Sequence, residues 1–369
     1  MVQCQIGLDI RMIKHTGIGT YLQGLVTSFK NEEIRSGLDL RLFGGTRQEM
    51  TEGFSRHPFR SRIYSVEEQL EYPLRLARCR LWHAPHYNIP VFKGKTKLVV
   101  TVHDLIHWIF RRDFFTPLQS FYVEKMLTRV VELADHIVTV SHKTREDLIR
   151  HFNADPERIS VIYEAAGERF RPAEAAAIAD LKCRYGLPEN YFLYVGSLKP
   201  HKNVLWLVRL FKKLKAQGKI DASLVLIGRK DRRYPNGYES LARFKSDQDV
   251  IHLSYVGRDE LPVFYSGAVA LIHPSLYEGF GLTLLEAMAC GTPVIACRSA
   301  SIPEVAGDAA YLVDSCAENE MMDAIVRMEK FSDLREKFSR KGTEHVRRFR
   351  WEETAKKTAE IYDHVLGQS

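Results

Sequence analysis

Short apolar, β-branched runs alternate along the chain with longer runs whose apolar residues recur at helical spacing. That alternation marks parallel βα units, because a strand covered by helices on both faces reads as one continuous apolar run. In a first series, strands are predicted at Gln5–Leu8, Leu38–Phe43, Lys97–Val102, Ile137–Val140 and Ile159–Ile162, with helices near Tyr21–Phe29, Phe121–Leu133 and Lys143–Phe152. LWHAPHYNIP adds a strand ended by His83 and His86. A second series has strands at Tyr191–Val195, Ser223–Ile227, Val250–Leu253, Val269–Ile272 and Pro293–Ala296, and helices at Val204–Ala216 and Thr283–Ala289. Between the two, Glu164–Leu187 is rich in Ala, Glu and Arg and lacks strand character. The expected division is therefore an α/β domain over 1–170, a second over 171–350, and a closing helix over 351–369. Ala355, Ala359, Ile361, Tyr362 and Val365 give Trp351–Leu366 an apolar stripe, expected to pack back towards the first domain.

Composition narrows the class. The chain is 45 % apolar and 27 % charged, with 53 Lys+Arg against 46 Asp+Glu, which excludes disordered and fibrous proteins. No run reaches the roughly 18 apolar residues of a spanning helix, since His103, Asp104 and His107 break Leu98–Phe110. MVQCQIGLDIRM carries Asp9 and Arg11 where a signal peptide is apolar, so export by that route is not expected. Six scattered cysteines, none in a CxxC pair, read as reduced thiols in the cytoplasm.

The net charge of +7 is concentrated between Arg56 and Lys97, where nine cations face Glu67, Glu68 and Glu71. Such a stretch is either a solvated face or a contact for an anionic membrane, an acidic substrate or nucleic acid. No nucleic-acid motif accompanies it. A membrane contact made this way, at the inner face, would rest on charge alone.

The strongest chemical signal is HPSLYEGFGLTLLEAMACGTPV, His273–Val294. The chain leaves a strand, turns at Gly279 and Gly281, and starts an apolar helix near Leu282, whose free N–H groups suit a phosphate. Glu278 in the loop and Glu286 in the first turns bracket that terminus; a carboxylate there can accept hydrogen bonds from two ribose hydroxyls, or act as a plain cap or surface acid. YVGSLKPHKN puts Lys199 and Lys202 in a strand-to-helix turn, where an ammonium suits a diphosphate, although surface lysines are common at helix starts. LDIRMIKHTGIGTY has Gly17 and Gly19 before a helix but Leu22 where a dinucleotide fingerprint requires glycine. His103, closing the strand of VVTVHDL, emerges where parallel sheets bind ligands, and His83 and His86 end another strand on the same edge, where each either helps shape a ligand pocket or is a buried histidine bonded to backbone. With His107 these histidines lack the cysteines and helical spacing of a zinc site. Asp247-Gln248-Asp249 precedes a strand in a polar loop and reads as turn chemistry.

EGFGLTLLE, followed by AMACGTPVIA and SIPEVAGDAAYLV, resembles the E-x7-E region of glycosyltransferase family 4, retaining enzymes of the GT-B fold with two facing Rossmann-like domains and a cleft between them. The resemblance runs through GIGTY, VVTVHDL, VTVSHKTREDL, YVGSLKPHKN and FRWEETA, and is nearest to bacterial lipopolysaccharide and exopolysaccharide mannosyltransferases. It implies a C-terminal domain holding a nucleotide-sugar and an N-terminal domain holding the acceptor. Lys202 would grip the donor phosphates, and Arg229 would replace a guanidinium that many relatives carry where Ser197 stands. Phe280, Gly281 and Leu282 would line the phosphate site, and Gly17 and Gly19 would let backbone approach the ligand. Glu286 would hold the ribose, Glu278 the sugar hydroxyls, and His103 the reacting sugar.

The implied reaction moves a hexose with retention, mannose from GDP-mannose first and a UDP-sugar as the alternative, to a glycan or lipid-linked acceptor. It implies neither cofactor nor metal, and a departing phosphate that takes the acceptor's proton. A sugar-nucleotide epimerase, a phosphorylase and a catalytically silent sugar-nucleotide-binding protein are the other readings.

Overall fold

Among the described residues of the computed structural model thirteen runs, all but one largely buried or half-buried, form strands, every one paired in parallel with its neighbours. The structure describes residues 4–35, 37–44, 51–114, 116–229 and 249–367. Chain contacts divide it into two units, Met1–Ala165 with Phe349–Ser369, and Ala166–Arg348.

The first unit holds β1 (Cys4–Asp9), β2 (Leu40–Phe43), β3 (Ser55–His57), β4 (Cys79–Ala84), β5 (Lys97–Val102), β6 (His136–Thr139) and β7 (Ile159–Val161), in the order β3-β2-β1-β4-β5-β6-β7. The order reverses between β1 and β4, so the loops leaving their C-terminal ends diverge and open a crevice where α/β sheets take ligands. Apolar side chains fill both faces: Leu42, Leu81 and Val99 meet the helix Ile18–Ser28 on one, and Trp82, Leu98 and Val100 meet the helix Pro117–Leu133 on the other. The helix Trp351–Leu366 also belongs to this unit. A Cβ on Gly24 would lie 2.2 Å from the Trp351 ring, so only glycine admits that indole. Thr354 Oγ1 donates to the Tyr163 carbonyl at 2.6 Å, and Tyr362 OH lies 2.6 Å from His83 Nδ1.

The second unit holds β8 (Tyr191–Val195), β9 (Ser223–Ile227), β10 (Val250–Leu253), β11 (Ala270–His273), β12 (Val294–Arg298) and β13 (Tyr311–Asp314), in the order β10-β9-β8-β11-β12-β13. Its reversal lies between β8 and β11, which are therefore the strands whose departing loops should carry a site. The helices Val204–Ala216 and Glu318–Lys330 cover one face with Leu207, Phe211, Met321 and Ile325.

Strands β5, β8, β9 and β10 and the helices Val204–Ala216 and Trp351–Leu366 fall where the apolar pattern predicts them. Strands β3 and β13 and the helix Val66–Leu76 are additions, because each is too short or too polar on its buried side to read as a periodic run. Asp247 and Gln248 lie outside the described residues; Asp249 Oδ1 sits 3.1 Å from Lys215 Nζ.

Candidate functional site

In the second unit, β8 runs into the turn Pro200–Lys202 and β11 into the loop at 274–281. The two loops are tied by Leu276 N–H donating to the His201 carbonyl at 2.8 Å. Lys202 Nζ donates to both Glu278 oxygens, at 2.6 and 2.8 Å. His273 Nε2 lies 3.0 Å from Glu278 Oε1, and its Nδ1 lies 3.3 Å from Thr283 Oγ1. Burial by itself would raise the Glu278 carboxyl. Lys202 and His273 outweigh it and hold the group well below the usual carboxylate range.

Ser301 Oγ fixes the same loop by donating to the Glu278 carbonyl at 2.9 Å and the Phe280 carbonyl at 3.1 Å. Gly281 then enters the helix Leu282–Ala289 with φ of 104°, a left-handed value natural only to glycine. Among the described residues no side chain caps this helix; Leu284 N–H turns back to the Gly281 carbonyl at 2.9 Å, and the N–H groups before it stand open beside the Lys202–Glu278 pair. The structure thus brings Lys202, Glu278, Phe280, Gly281 and Leu282 together.

Glu286 turns elsewhere. It accepts the Tyr265 hydroxyl at 2.9 Å, and desolvation pushes its carboxyl up to about 7 against the opposing pull of that bond and of Arg169. Arg229, exposed at the end of β9, has its guanidinium carbon 4.9 Å from the Tyr255 ring centre. Its carbonyl accepts Leu198 N–H at 3.3 Å, and the Ser197 carbonyl accepts the Tyr194 hydroxyl at 2.9 Å, so Ser197 and Arg229 share the neighbouring strand ends. His273, Ser301 and Tyr265 are members of the site that spacing did not single out. The first stands inside the quoted motif, where a histidine one residue before a Pro-Ser turn read simply as the end of a strand.

In the first unit, His103 follows β5 with Nδ1 3.1 Å from Glu164 Oε1 and Nε2 3.0 Å from the Pro85 carbonyl. Each ring nitrogen therefore faces an oxygen acceptor, which fixes the orientation of the imidazole. Tyr21 meets the His103 ring edge-on at 5.0 Å, and Tyr21 rides on the helix that Gly17 and Gly19 begin. Glu164 sits in the segment read from sequence as a linker, so its pairing with His103 was invisible there.

His83 corrects an expectation. It is fully buried between Tyr362 and Thr101 Oγ1, the latter 2.8 Å away, and burial pushes it down to about 3. It is a neutral core histidine and lines no pocket. His86 is buried too, with Nδ1 accepting Asn88 N–H at 3.3 Å.

Arg11 is the further surprise. Its Nη2 reaches Asp9 at 2.6 Å, Glu68 at 2.7 Å and the Tyr72 hydroxyl at 3.1 Å, and its guanidinium lies 3.5 Å over the Phe59 ring.

Two parallel-sheet Rossmann-like units are the architecture of the GT-B fold, which solved glycosyltransferase structures share. Residues 184–345 match the family model described as glycosyl transferases group 1, and residues 43–165 match glycosyltransferase family 4. The chain is 30 % identical to O-antigen chain mannosyltransferase B of Escherichia coli over 284 residues, 76 % of this chain and 74 % of that one. It is also 30 % identical to O-antigen chain mannosyltransferase RfbU of Salmonella typhimurium strain LT2, over 75 % of this chain and 72 % of that one. Among solved structures, Anabaena HepE in complex with UDP-glucose superposes with a TM-score of 0.77 at 16 % identity, over 98 % of this chain and all of that one. The chain belongs to glycosyltransferase family 4 and is a hexosyltransferase.

Proposed function

We propose that this glycosyltransferase moves mannose from GDP-mannose, with retention, to a glycan or lipid-linked acceptor. The observation that carries the reading is the Lys202–Glu278 pair beside the uncapped start of the helix Leu282–Ala289. Mannose is chosen because both curated relatives described above are mannosyltransferases. A UDP-sugar is the second reading, favoured by the UDP-glucose held by HepE.

An ammonium has three N–H donors. Glu278 takes up two directions, which leaves Lys202 one for an oxygen of the donor diphosphate. The bond from the sugar's anomeric carbon to the diphosphate breaks, and the negative charge that develops is met by Lys202, by the N–H groups of the helix start and by Arg229. The acceptor oxygen bonds to the same face of that carbon, and its proton passes to the departing phosphate. Glu278 stays ionised throughout and offers its remaining lone pairs to the sugar hydroxyls. Glu286 accepts the ribose hydroxyls. In the other unit, His103, held by Glu164 and Pro85, positions the reacting sugar.

These cationic groups supply the charge stabilisation that a divalent ion supplies elsewhere, so the proposed reaction uses neither metal nor cofactor. Transfer is expected to survive excess EDTA; loss on chelation, restored by added metal, contradicts this part. A thermal-shift panel tests the donor. A specific ligand stabilises by mass action, so GDP-mannose at saturation is expected to raise Tm by a few degrees and UDP-glucose is not. The reverse ranking transfers the assignment to a UDP-sugar.

A further inference from the structure

Charge alone does not describe the basic stretch. Arg75 is ion-paired with Glu71, and Lys93 and Lys97 are both paired with Asp135, so a third of its nine cations are already engaged. Beside the exposed Arg56, Arg60, Arg62, Arg80, Lys95 and Lys97, the region also presents large apolar side chains to solvent.

On the helix Val66–Leu76, Val66, Leu70 and Leu74 are 77 %, 73 % and 66 % exposed. At four-residue spacing they form a single stripe along the helix, and Glu67 is the one acid among the helix's exposed positions. The helix cannot roll to hide the stripe. Its other side is buried through Glu68, Tyr72 and Leu76, and Glu68 is held by Arg11 at 2.7 Å.

The apolar surface continues on both sides. The Gln69 side chain bonds Val91 N–H at 2.8 Å and the Ile89 carbonyl at 3.3 Å, which sets the exposed Phe92 beside the helix. Tyr64, just before the helix, meets Tyr122 edge-on at 6.2 Å, and Tyr122 lies on the helix Pro117–Leu133, whose first turns expose Leu118 and Phe121. Cations rim this surface: exposed Arg60 and Arg62 precede the stripe, exposed Lys95 follows Phe92, and Lys125 Nζ lies 5.4 Å from the centre of the Phe121 ring.

We propose that this face docks on an anionic phospholipid leaflet, with Leu70, Leu74 and Phe92 entering the acyl boundary and the cationic rim meeting the headgroups. Apolar side chains beside Lys and Arg on one face are the composition of an interfacial contact. Among the described residues no helix is long and apolar enough to cross a membrane, so such a contact would be peripheral. The proposal deepens the lipid-linked half of the acceptor reading, because it would bring the first unit to the surface from which such an acceptor projects. It is measured without turnover, so its failure and the failure of that reading are distinguishable.

The test is co-sedimentation of the full chain with vesicles of phosphatidylcholine, with and without phosphatidylglycerol. Binding is expected only with phosphatidylglycerol, and part of it is expected to persist in high salt because insertion is not screened. Leu70→Glu with Leu74→Glu is expected to lower partitioning about 100-fold, and Arg60→Glu with Arg62→Glu about tenfold or more. Unchanged Tm and unchanged GDP affinity in both variants show that the fold is intact. Absence of binding to the anionic vesicles at low salt, equal binding to neutral ones, or partitioning indifferent to the leucine pair overturns the proposal. So does self-association that disappears in the leucine variant, which would assign the stripe to a second copy of the chain.

Discussion

Each unit carries an ion pair where its sheet order reverses, and the two are built differently. In the first, Arg11 is closed in: Asp9 and the Tyr72 hydroxyl accept its N–H groups, the Glu68 carboxylate lies 2.7 Å from Nη2, Phe59 covers its plane, and the side chains are almost wholly enclosed. In the second, Lys202 meets one carboxylate, keeps an N–H direction to spare, and stands beside an uncapped helix start. A closed pair fixes loops in place, whereas an open pair has room for a ligand. Charge and position at the sheet edge are common to both, so the room left around the cation, 7 % exposed at Arg11 against 20 % at Lys202, separates scaffold from site.

The comparison breaks most visibly at Lys202. Lys202→Ala is expected to lower kcat/KM by about a thousandfold, roughly 4 kcal/mol of transition-state stabilisation, with a smaller loss of stability, because the buried Glu278 carboxylate loses its ammonium but keeps His273. Steady-state rates and a melting curve on the same sample check both halves. Arg11→Met should show the opposite pattern. Removing one partner of a buried cluster strands the others, so about 3 kcal/mol of stability is expected to go, read by urea denaturation, while GDP affinity stays at the wild-type value.

These outcomes rest on contacts the sequence shows only in part. Strands β8 and β9 and the helix Val204–Ala216 were legible because buried parallel strands are continuous apolar runs and an amphipathic helix repeats at its own period. The helix Val66–Leu76 was not. Its inward side carries Glu68 beside Tyr72 and Leu76, while Leu70 and Leu74 point outward, so the usual rule of apolar inside misreads it. Lys202 and Glu278 were each singled out, but as a phosphate grip and a sugar ligand acting separately; their direct contact spans 76 positions and depends on which two strands end up adjacent. For the same reason the His103–Glu164 pairing and the burial of His83 against Tyr362, 279 positions away, lay beyond motif reading.

His103→Ala sharpens the contrast between units. It is expected to lower kcat about a hundredfold and leave GDP affinity unchanged, because the nucleotide is assigned to the second unit. Weakened GDP binding in this variant would remove that division of labour.

The smallest expected effect concerns Glu286. Its carboxyl is raised from 4.5 to about 7, so its contribution to stability is complete below about pH 4.5 and declines as pH rises to about 7, after which it is flat. Glu286→Gln is expected to flatten that decline and raise neutral-pH stability by about 2 kcal/mol, allowing for the group's partial exposure. In the wild type, GDP affinity should rise between pH 6 and 8 more steeply than in Glu286→Gln, since the ionised carboxylate is the better acceptor for ribose hydroxyls. Thermal melts and titrations across that range measure both.

The most direct test of the open pair as the donor-phosphate site is calorimetric titration of GDP into the wild type, Lys202→Ala and Arg11→Met at one pH and salt concentration. The account expects Lys202→Ala to weaken binding about a hundredfold, near 3 kcal/mol, and Arg11→Met to match the wild type. Unchanged affinity in Lys202→Ala would contradict it.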